Sequence, residues 1–271
     1  MTTAARPTTS ESSHWYYTDG RPCYQLPKAD GKGMKSPTLA DARKLNLVPG
    51  VSTILKVLAK PELTNWLIEQ AVLSVMTTPR LAGEETDAFI KRVLGEDKQA
   101  GEAAKARDLG TDIHNELERL MSAPSPKPAC DPDLAPYIVP AFSWLMENAG
   151  EVVSCETILS GEGYAGKTDL ICTTNRCETL YDYKSAKKLP DPKKGGWAEH
   201  KLQLAAYGKA RQRTTARGLK AANIYISTTE PGKFVVCEYS ESELHDAYTR
   251  AFLPLLTIWQ YLNNYQPNYA V

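Results

Sequence analysis

The sequence predicts an α/β protein with a central mixed sheet, partly antiparallel, that is flanked by helices. Apolar residues recur every three or four positions up to about residue 150 and every second position beyond it, which indicates helices followed by strands. The second half predicts three strands, a helix, two strands and a helix, in that order. With 42% hydrophobic and 24% charged residues among 271, the chain has the composition of an ordinary globular protein.

The first half is predicted to be mainly helical. A short hairpin occupies residues 15–26, because Asp19-Gly20 supplies the positive φ angles of a two-residue turn. Helical periodicity begins at Ser52 and is interrupted at Pro61, which lacks the backbone N–H that a helix interior needs. Three more helices are predicted, over residues 84–98, 101–121 and 131–149, the last of them bent near Pro140.

The second half is predicted to carry the sheet. Three strands separated by short turns indicate an antiparallel meander over residues 152–159, 165–173 and 179–184. After a loop over 189–196, the remaining elements are a helix over 198–212, strands over 222–228 and 233–239, and an amphipathic helix from Ser240 to about Tyr261.

Composition marks no linker between independent domains. Residues 1–14 are rich in Thr, Ser and Ala without apolar periodicity, which predicts a disordered tail. We expect residues 15–271 to form a single domain, with a mainly helical elaboration over 15–150, a core over 151–240 and a C-terminal helix over 241–271.

Charge and cysteine usage exclude several classes of protein. The 32 Lys and Arg residues balance 32 Asp and Glu residues, so a polyanionic partner would have to use a local patch. The six cysteines form no C-x-x-C pair, which argues against a structural zinc site or an iron–sulfur cluster. Without an apolar run for a signal peptide or a membrane span, the sequence predicts a cytoplasmic protein that does not contact a membrane.

One segment matches the phosphate-binding G-x-x-x-x-G-K-[ST] pattern, namely Gly161–Thr168. A nucleotide hydrolase is therefore one alternative for this chain. Such a loop must lead into the N-terminus of a helix, where free N–H groups hold the phosphates. Residues 169–174 are instead β-branched and apolar, which favours a connection between two strands.

A second arrangement lies in the same region, with Asp169 three residues after Gly166 and Asp182 two residues before Lys184. Side chains alternate along a strand, so Asp182 and Lys184 lie on one face, with Asp169 on the neighbouring strand. Two close carboxylates repel each other, and a divalent cation with oxygen ligands relieves that repulsion. The pattern predicts a site for phosphodiester hydrolysis. The alternative is a surface hairpin with an ordinary Asp–Lys pair.

Two flanking motifs extend this pattern. His114 follows Gly110 by four residues, and Gln203 precedes Tyr207 by four. The order G-x-x-x-H, G-x-x-D, D-Y-K-[ST], Q-x-x-x-Y resembles the RecB-like branch of the PD-(D/E)xK nuclease superfamily, which includes phage-type exonucleases and the mitochondrial genome maintenance exonuclease. The resemblance covers roughly residues 48–240 and includes the segment Val48–Leu55.

The resemblance implies a restriction-endonuclease-like core and a divalent-metal-dependent DNA exonuclease. It assigns one or two Mg²⁺ or Mn²⁺ ions to three ligands: His114, Asp169 and Asp182. Lys184 matches the catalytic lysine, which positions water or stabilises charge in the transition state. Gln203 and Tyr207 match a motif that positions DNA or the lysine. Glu156 is a candidate further acid with Glu162 as its rival, and no cysteine follows Cys237 to complete a cluster of the iron–sulfur type.

Local charge favours a nucleic-acid partner. Residues 184–220 contain eleven Lys or Arg residues and two acids, a local excess of +9. Trp197 and Tyr207 lie within this segment and could stack on unpaired bases. The candidate DNA contacts are Ser52, Lys56, Lys187, Lys188, Lys193, Lys194 and Trp197. The alternative for the lysines is a solvated charged surface.

These observations and the resemblance predict a metal-dependent deoxyribonuclease that acts as an exonuclease. A phage or prophage role in recombination or DNA processing, with a strand-annealing protein as partner, is implied by the resemblance alone. Two alternatives are kept: a P-loop NTPase that uses Gly161–Thr168, and a DNA-binding pseudo-nuclease without catalysis.

Overall fold

A computed structural model describes residues 14–58, 61–94, 99–174, 177–215 and 217–268. Apart from His14, the predicted N-terminal tail lies outside the described residues. The chain divides into two compact units, one of residues 58–112 and one formed by the segments before and after it.

The first segment of the larger unit contains short elements: β1 (Trp15–Tyr16), β2 (Pro22–Cys23), β3 (Leu26–Pro27), β4 (Met34–Lys35), α1 (Leu39–Leu45), β5 (Val48–Pro49) and α2 (Val51–Leu55). Strands β1 and β2 form the predicted hairpin, and β5 pairs with the other edge of β1. The predicted two-residue turn is wrong: Tyr17 donates to the Arg21 carbonyl across a three-residue loop, and Gly20 has a positive φ whereas Asp19 does not. The β3–β4 hairpin and α1 were not predicted. Helix α1 begins at a capping box in which Thr38 and Asp41 bond to each other's backbone N–H.

The smaller unit is helical, as predicted. It contains α3 (Pro61–Thr77), α4 (Thr86–Leu94) and the first part of α5 (Gln99–Ser122). The break predicted at Pro61 is the start of a helix, a position that proline favours because its missing N–H would have no partner there. The end of the predicted helix over 84–98 falls on residues 95–98, outside the described residues.

The second part of the larger unit contains the sheet and its flanking helices: α6 (Ala135–Asn148), β6 (Glu151–Gly161), β7 (Tyr164–Thr174), β8 (Cys177–Ala186), α7 (Ala198–Gln212), β9 (Gly218–Ser227) and β10 (Phe234–Tyr239). The strand order is β10-β9-β8-β7-β6. Neighbouring strands are antiparallel except β8 and β9, which are parallel and are joined by the crossover helix α7. The predicted mixed α/β architecture is confirmed.

The predicted C-terminal helix is interrupted. It consists of α8 (Glu241–Ala247), a π-helical turn (Tyr248–Phe252) and α9 (Leu253–Leu262). The wider turn immediately precedes Pro254, which has no N–H to continue an α-helical ladder. In the part of the chain that the structure describes, no helix combines the length and the apolar character required to cross a membrane.

The two ends of the larger unit are joined by hydrogen bonds. The Tyr265 hydroxyl is within hydrogen-bond distance of two backbone carbonyl oxygens, at 2.9 Å from that of Ala42 and 2.7 Å from that of Leu47. The Asn46 side chain forms two hydrogen bonds with the Asn268 backbone: its amide donates to the Asn268 carbonyl, and its Oδ1 atom accepts from the Asn268 N–H. The segment after α9 therefore fixes the turn that leads into β5 and α2.

A buried ion pair anchors α7 to the sheet. Arg211 near the end of α7 contacts Glu178 on β8 through two hydrogen bonds of 2.7 and 3.0 Å. The Glu178 side chain is 5% exposed, so removal of its partner would leave a buried charge without compensation. Arg213 contacts Glu162 nearby at 3.4 Å, but both of these side chains are exposed.

We expect Arg211→Ala to lower the free energy of unfolding by about 3 kcal/mol, because Glu178 would lose a buried partner. Arg213→Ala is the matched control and should change it by less than about 0.5 kcal/mol. Arg211 lowers the pKa of Glu178, so the stabilisation is complete above the pKa of an unfolded glutamate and is lost as the pH falls through the lowered folded-state pKa. Denaturant titrations at pH 7 and pH 3 measure both effects. Equal losses in the two variants at pH 7 would contradict the structural role of the pair.

Candidate active site

The predicted site residues converge where two neighbouring strands separate. Strands β7 and β8 pair from Thr174 with Cys177 up to Leu170 with Tyr181. Beyond that point β7 continues alongside β6, and β8 continues alongside β9. We call the resulting gap the fork. A backbone bridge between Gly50 and Ala165 occupies the side of β7 that β8 has left.

Asp169 is the first residue of β7 within the fork. Its Oδ2 atom accepts a 2.6 Å hydrogen bond from the backbone N–H of Tyr183, and it lies 2.9 Å from Nε2 of His114. His114 projects from α5, whose buried residues Ile113 and Leu117 pack into the core and hold the imidazole at the fork. Two of the residues predicted as ligands, His114 and Asp169, are therefore in contact.

Asp182 and Lys184 lie on the same face of β8, as the alternation of strand side chains predicts. The Lys184 ammonium is 2.9 and 3.1 Å from the two carboxylate oxygens of Asp182. The Asn223 amide, on the parallel neighbour β9, donates a 2.9 Å hydrogen bond to Oδ2 of the same carboxylate. Asp182 is 2% exposed and Asn223 is fully buried, so this carboxylate is held in one orientation.

Glu156 faces the fork from β6 in an unusual backbone conformation. Its φ angle is +51°, in the left-handed region that non-glycine residues seldom adopt. The β6–β7 register includes Cys155 with Leu170 and Thr157 with Thr168 but no pair at Glu156. The side chain forms an ion pair with Lys167, and its Oε1 atom lies 3.9 Å from Nδ1 of His114. Strained backbone of this kind is concentrated at functional sites.

The two buried aspartates of the fork have opposite pKa shifts. Burial raises the pKa of Asp182 to about 6, with repulsion from Asp169 contributing, although Lys184 acts in the opposite direction. Burial also disfavours the charged form of Asp169, but His114, Lys184 and the Tyr183 N–H outweigh it and lower its pKa below the usual value. Burial likewise disfavours charged His114, and the aspartates overcome it and raise its pKa. The fork is therefore a site where added positive charge is favourable.

Three residues of the fork fit a divalent cation. His114, Glu156 and Asp169 each offer a ligand atom, and these atoms lie within 4.8 Å of one another. In octahedral coordination at about 2.1 Å, adjacent ligand atoms are about 3 Å apart, close to the 2.9 Å between His114 and Asp169. Two carboxylates and one imidazole suit Mg²⁺ or Mn²⁺. The predicted ligand Asp182 is adjacent, and its carboxylate contacts Lys184 and Asn223.

The structure distinguishes the two rival glutamates. Glu156 belongs to the fork, whereas Glu162 lies in the turn between β6 and β7, 72% exposed and paired with Arg213. The positive φ of Glu156 could not be read from the sequence, because a run of strand-forming residues surrounds it.

Gln203 and Tyr207 both lie on α7, and the Gln203 amide donates a 2.9 Å hydrogen bond to the Tyr207 hydroxyl. Tyr207 is 4% exposed and lies against Gly166, where a Cβ atom would come within 2.9 Å of the hydroxyl oxygen and even closer to the ring. The glycine of the G-x-x-D motif therefore makes room for Tyr207. The expectation that Tyr207 stacks on bases is wrong, because its ring is buried.

The candidate DNA contacts differ in their exposure to solvent. The four lysines of the loop after β8 are exposed, as are Lys56 at the end of α2 and Trp197 at the start of α7; Ser52 on α2 is half-buried. The positive charge of residues 184–220 does not form one continuous stripe. Arg211 and Arg217 contact Glu178 and Thr173, at the end of the strands far from Asp182.

The segment Gly161–Thr168 is a strand connection. Gly161 ends β6, residues 162 and 163 form the turn, and Tyr164 begins β7. The helix that a phosphate-binding loop requires does not follow it, and Thr168 is fully buried. The P-loop alternative is therefore wrong for this segment.

Sequence reasoning missed two polar residues of the fork, Asn223 and Lys167. Asn223 interrupts the apolar strand Ala-Ala-Asn-Ile-Tyr-Ile, and a buried amide within such a strand needs a polar partner. That anomaly was a readable signal, but its partner Asp182 is 41 positions away. In the sequence, Lys167 is visible only as the lysine of the phosphate-loop pattern. In the structure, it forms an ion pair with Glu156.

No protein-family model and no curated protein matches the chain. Solved structures that resemble it include a candidate exonuclease from Eubacterium rectale, at 14% identity over 65% of this chain and 74% of that chain, with a TM-score of 0.41. The exonuclease LHK-Exo in complex with dAMP matches at 15% identity over 72% and 90% of the two chains, with a TM-score of 0.33. LHK-Exo from Laribacter hongkongensis, described as an alkaline exonuclease, matches at 14% identity over 59% and 90%, with a TM-score of 0.30.

We expect Glu156→Gly to be more stable than Glu156→Ala by about 1 kcal/mol, because glycine adopts a positive φ without a steric penalty. Both variants lose the carboxylate and its pairing with Lys167, so the difference isolates the backbone. Thermal and denaturant unfolding of the two proteins provide the measurement. Equal stability would mean that residue 156 is not held in the left-handed region.

We expect Gly166→Ala to lower the free energy of unfolding by about 2 kcal/mol, because the new methyl group overlaps the Tyr207 ring. In a Tyr207→Ala background the same change should cost close to nothing, since the obstructing ring is gone. A double-mutant cycle by denaturant unfolding measures this coupling. Additive losses would place the cost of Gly166→Ala elsewhere than at Tyr207.

Proposed function

We propose that this chain is a divalent-metal-dependent DNA exonuclease with an active site of the PD-(D/E)xK type. The observation that supports this most directly is the convergence at the fork. An Asp-x-Lys pair on β8 meets Asp169, Glu156 and His114, each from a different element. Such a set combines cation ligands with a fixed ammonium group, which phosphodiester hydrolysis requires.

The roles of the residues follow from their positions. In this proposal His114, Glu156 and Asp169 hold the cation, with Asp182 beside them. A bound Mg²⁺ or Mn²⁺ supplies positive charge at the scissile phosphate and lowers the pKa of a coordinated water. Lys184, fixed by Asp182, orients the attacking water or neutralises charge that develops on the phosphate.

Gln203 and Tyr207 are positioning residues in this proposal. Tyr207 is buried against Gly166, so its hydroxyl serves to hold the Gln203 amide group. Gln203 is half-buried and lies on α7, the helix that follows the lysine-bearing loop. We propose that its side chain contacts the DNA backbone near the fork.

The exposed lysines of the loop after β8 provide the phosphate contacts in this proposal: Lys187, Lys188, Lys193 and Lys194. Ser52 and Lys56 on α2 are further candidates, because α2 packs against β7 and α7. Binding through such contacts weakens as salt rises, because counterions are released from DNA. A role in phage recombination and a strand-annealing partner stay predictions of the resemblance.

The test uses linear DNA labelled at the 5′ or the 3′ end, single-stranded and duplex, together with a covalently closed circle. Each substrate is incubated with Mg²⁺, Mn²⁺ or EDTA. We expect the wild-type protein to degrade linear DNA only with metal and to leave the circle intact. Lys184→Ala and Asp182→Asn should lose roughly 100-fold or more in rate. Lys209→Ala, which removes an exposed lysine from α7, is the matched control and should keep the wild-type rate.

Three outcomes would contradict parts of the proposal. A folded wild-type protein that binds DNA in a salt-sensitive way without cleavage in either metal would be a DNA-binding pseudo-nuclease. Cleavage of the closed circle would make the enzyme an endonuclease. Full activity in Lys184→Ala would show that the reaction does not use the fork.

A further inference from the structure

An exposed indole lies beside the fork. Trp197, at the start of α7, is 40% exposed. Its ring and that of Tyr225 are perpendicular, with ring centroids 4.8 Å apart and an angle of 89° between the planes. His200 packs against it in the same edge-on manner, at 5.5 Å. The exposed part of the residue is the surface that a ligand can reach.

The position of this indole is fixed by its backbone. The Trp197 N–H donates a 3.2 Å hydrogen bond to the Tyr225 hydroxyl, which also lies 3.1 Å from Nδ1 of His200. The preceding Gly196 lies so close to the sheet that a Cβ atom would come within 2.5 Å of the Tyr239 hydroxyl. The backbone at Trp197 is therefore fixed against the sheet, and its indole is not carried by a free loop.

The indole contacts Tyr225, which lies beside Lys184, the lysine proposed to act in catalysis. Tyr225 on β9 is the register partner of Lys184 on β8, and neighbouring strands are about 4.8 Å apart. The loop between Lys184 and Trp197 carries four exposed lysines, and its second half is shaped by Asp191, which accepts hydrogen bonds from the backbone of Lys193 and Lys194.

We propose that Trp197 binds the unpaired nucleobase of a single-stranded DNA segment by stacking. The inference rests on the proposed function, since it places the scissile phosphate at the fork. Aromatic stacking is open to every base, and the lysines supply contacts to the flanking phosphates. In a blunt duplex the base faces are covered by neighbouring pairs, so the indole selects an unpaired strand.

A protein partner is the other class of ligand that an exposed tryptophan can serve. The lysines and the adjacent Lys184 favour the nucleic acid, because a phosphate chain running to the fork passes the indole. The two possibilities are distinguished by removing the bases from an oligonucleotide. If Trp197 binds a nucleobase, the affinity falls; if Trp197 binds a protein, the affinity does not change.

The first arm of the experiment measures binding without cleavage. Fluorescence anisotropy in EDTA compares a labelled oligothymidylate with an abasic oligonucleotide of equal length and charge. We expect the wild-type protein to bind the oligothymidylate roughly 5- to 150-fold more tightly, the range that one stacked base provides. Trp197→Ala should bind both equally, and Trp197→Phe should keep part of the preference.

Trp144→Ala is the matched control. That indole packs edge-on against Tyr181, whose side chain points to the opposite face of β8 from Asp182 and Lys184. The control should keep the full preference for the base-bearing strand. Circular dichroism and thermal melting of each variant verify that it folds.

The second arm measures cleavage with Mn²⁺, on a single strand and on a blunt duplex. We expect the wild-type protein to prefer the single strand, and Trp197→Ala to lose that preference. If Trp197→Ala discriminates between base-bearing and abasic strands as the wild type does, the inference is overturned while the nuclease proposal stands. If the base preference is lost in Trp197→Ala but the wild type cleaves nothing, the stacking site stands and the nuclease proposal fails.

Discussion

The separation of β7 from β8 determines where the polar residues of this protein collect. Strands that part leave backbone N–H and C=O groups that need other partners. The carboxylate of Asp169 takes the Tyr183 N–H across the gap, and Gly50 pairs with Ala165 on the edge of β7 that β8 has left. An acid at the fork is thus part of the fold as well as of the candidate site, which explains how a charged group is kept in a largely apolar interior.

The fold holds the acids of the fork in positions that are electrostatically unfavourable. Two buried acids lie close together, and their pKa values shift in opposite directions: burial and repulsion from Asp169 raise that of Asp182, whereas His114 and Lys184 lower that of Asp169. Lys184 and Asn223 hold Asp182, and His114 holds Asp169. Glu156 adds backbone strain to this electrostatic cost. Buried acids and a left-handed backbone both lower stability, and costs of this kind are common at functional sites.

Local patterns predicted the elements well, and contacts between distant elements were the harder part. Features that depend on neighbours in sequence are present in the structure. They are the helix over 198–212, the strand meander, and the shared face of Asp182 and Lys184. Tyr207 was misread because its environment is set by Gly166 on another strand. Asn223 was missed because its pairing needs the register of parallel strands joined through a crossover helix, which periodicity does not specify.

The hydrogen bonds between the first and last segments impose an order on the protein's formation. Asn46 and Tyr265 are separated by more than two hundred positions, and the turn before β5 gains hydrogen bonds once residues 265–268 are present. That turn leads to Gly50 and so to the bridge that lies against the fork. During synthesis on the ribosome, the strands of the sheet emerge well before Tyr265 does. The fork thus acquires this support only after residues 265–268 have been synthesised, so a nascent chain stalled before them would carry His114, Asp169 and Asp182 without it.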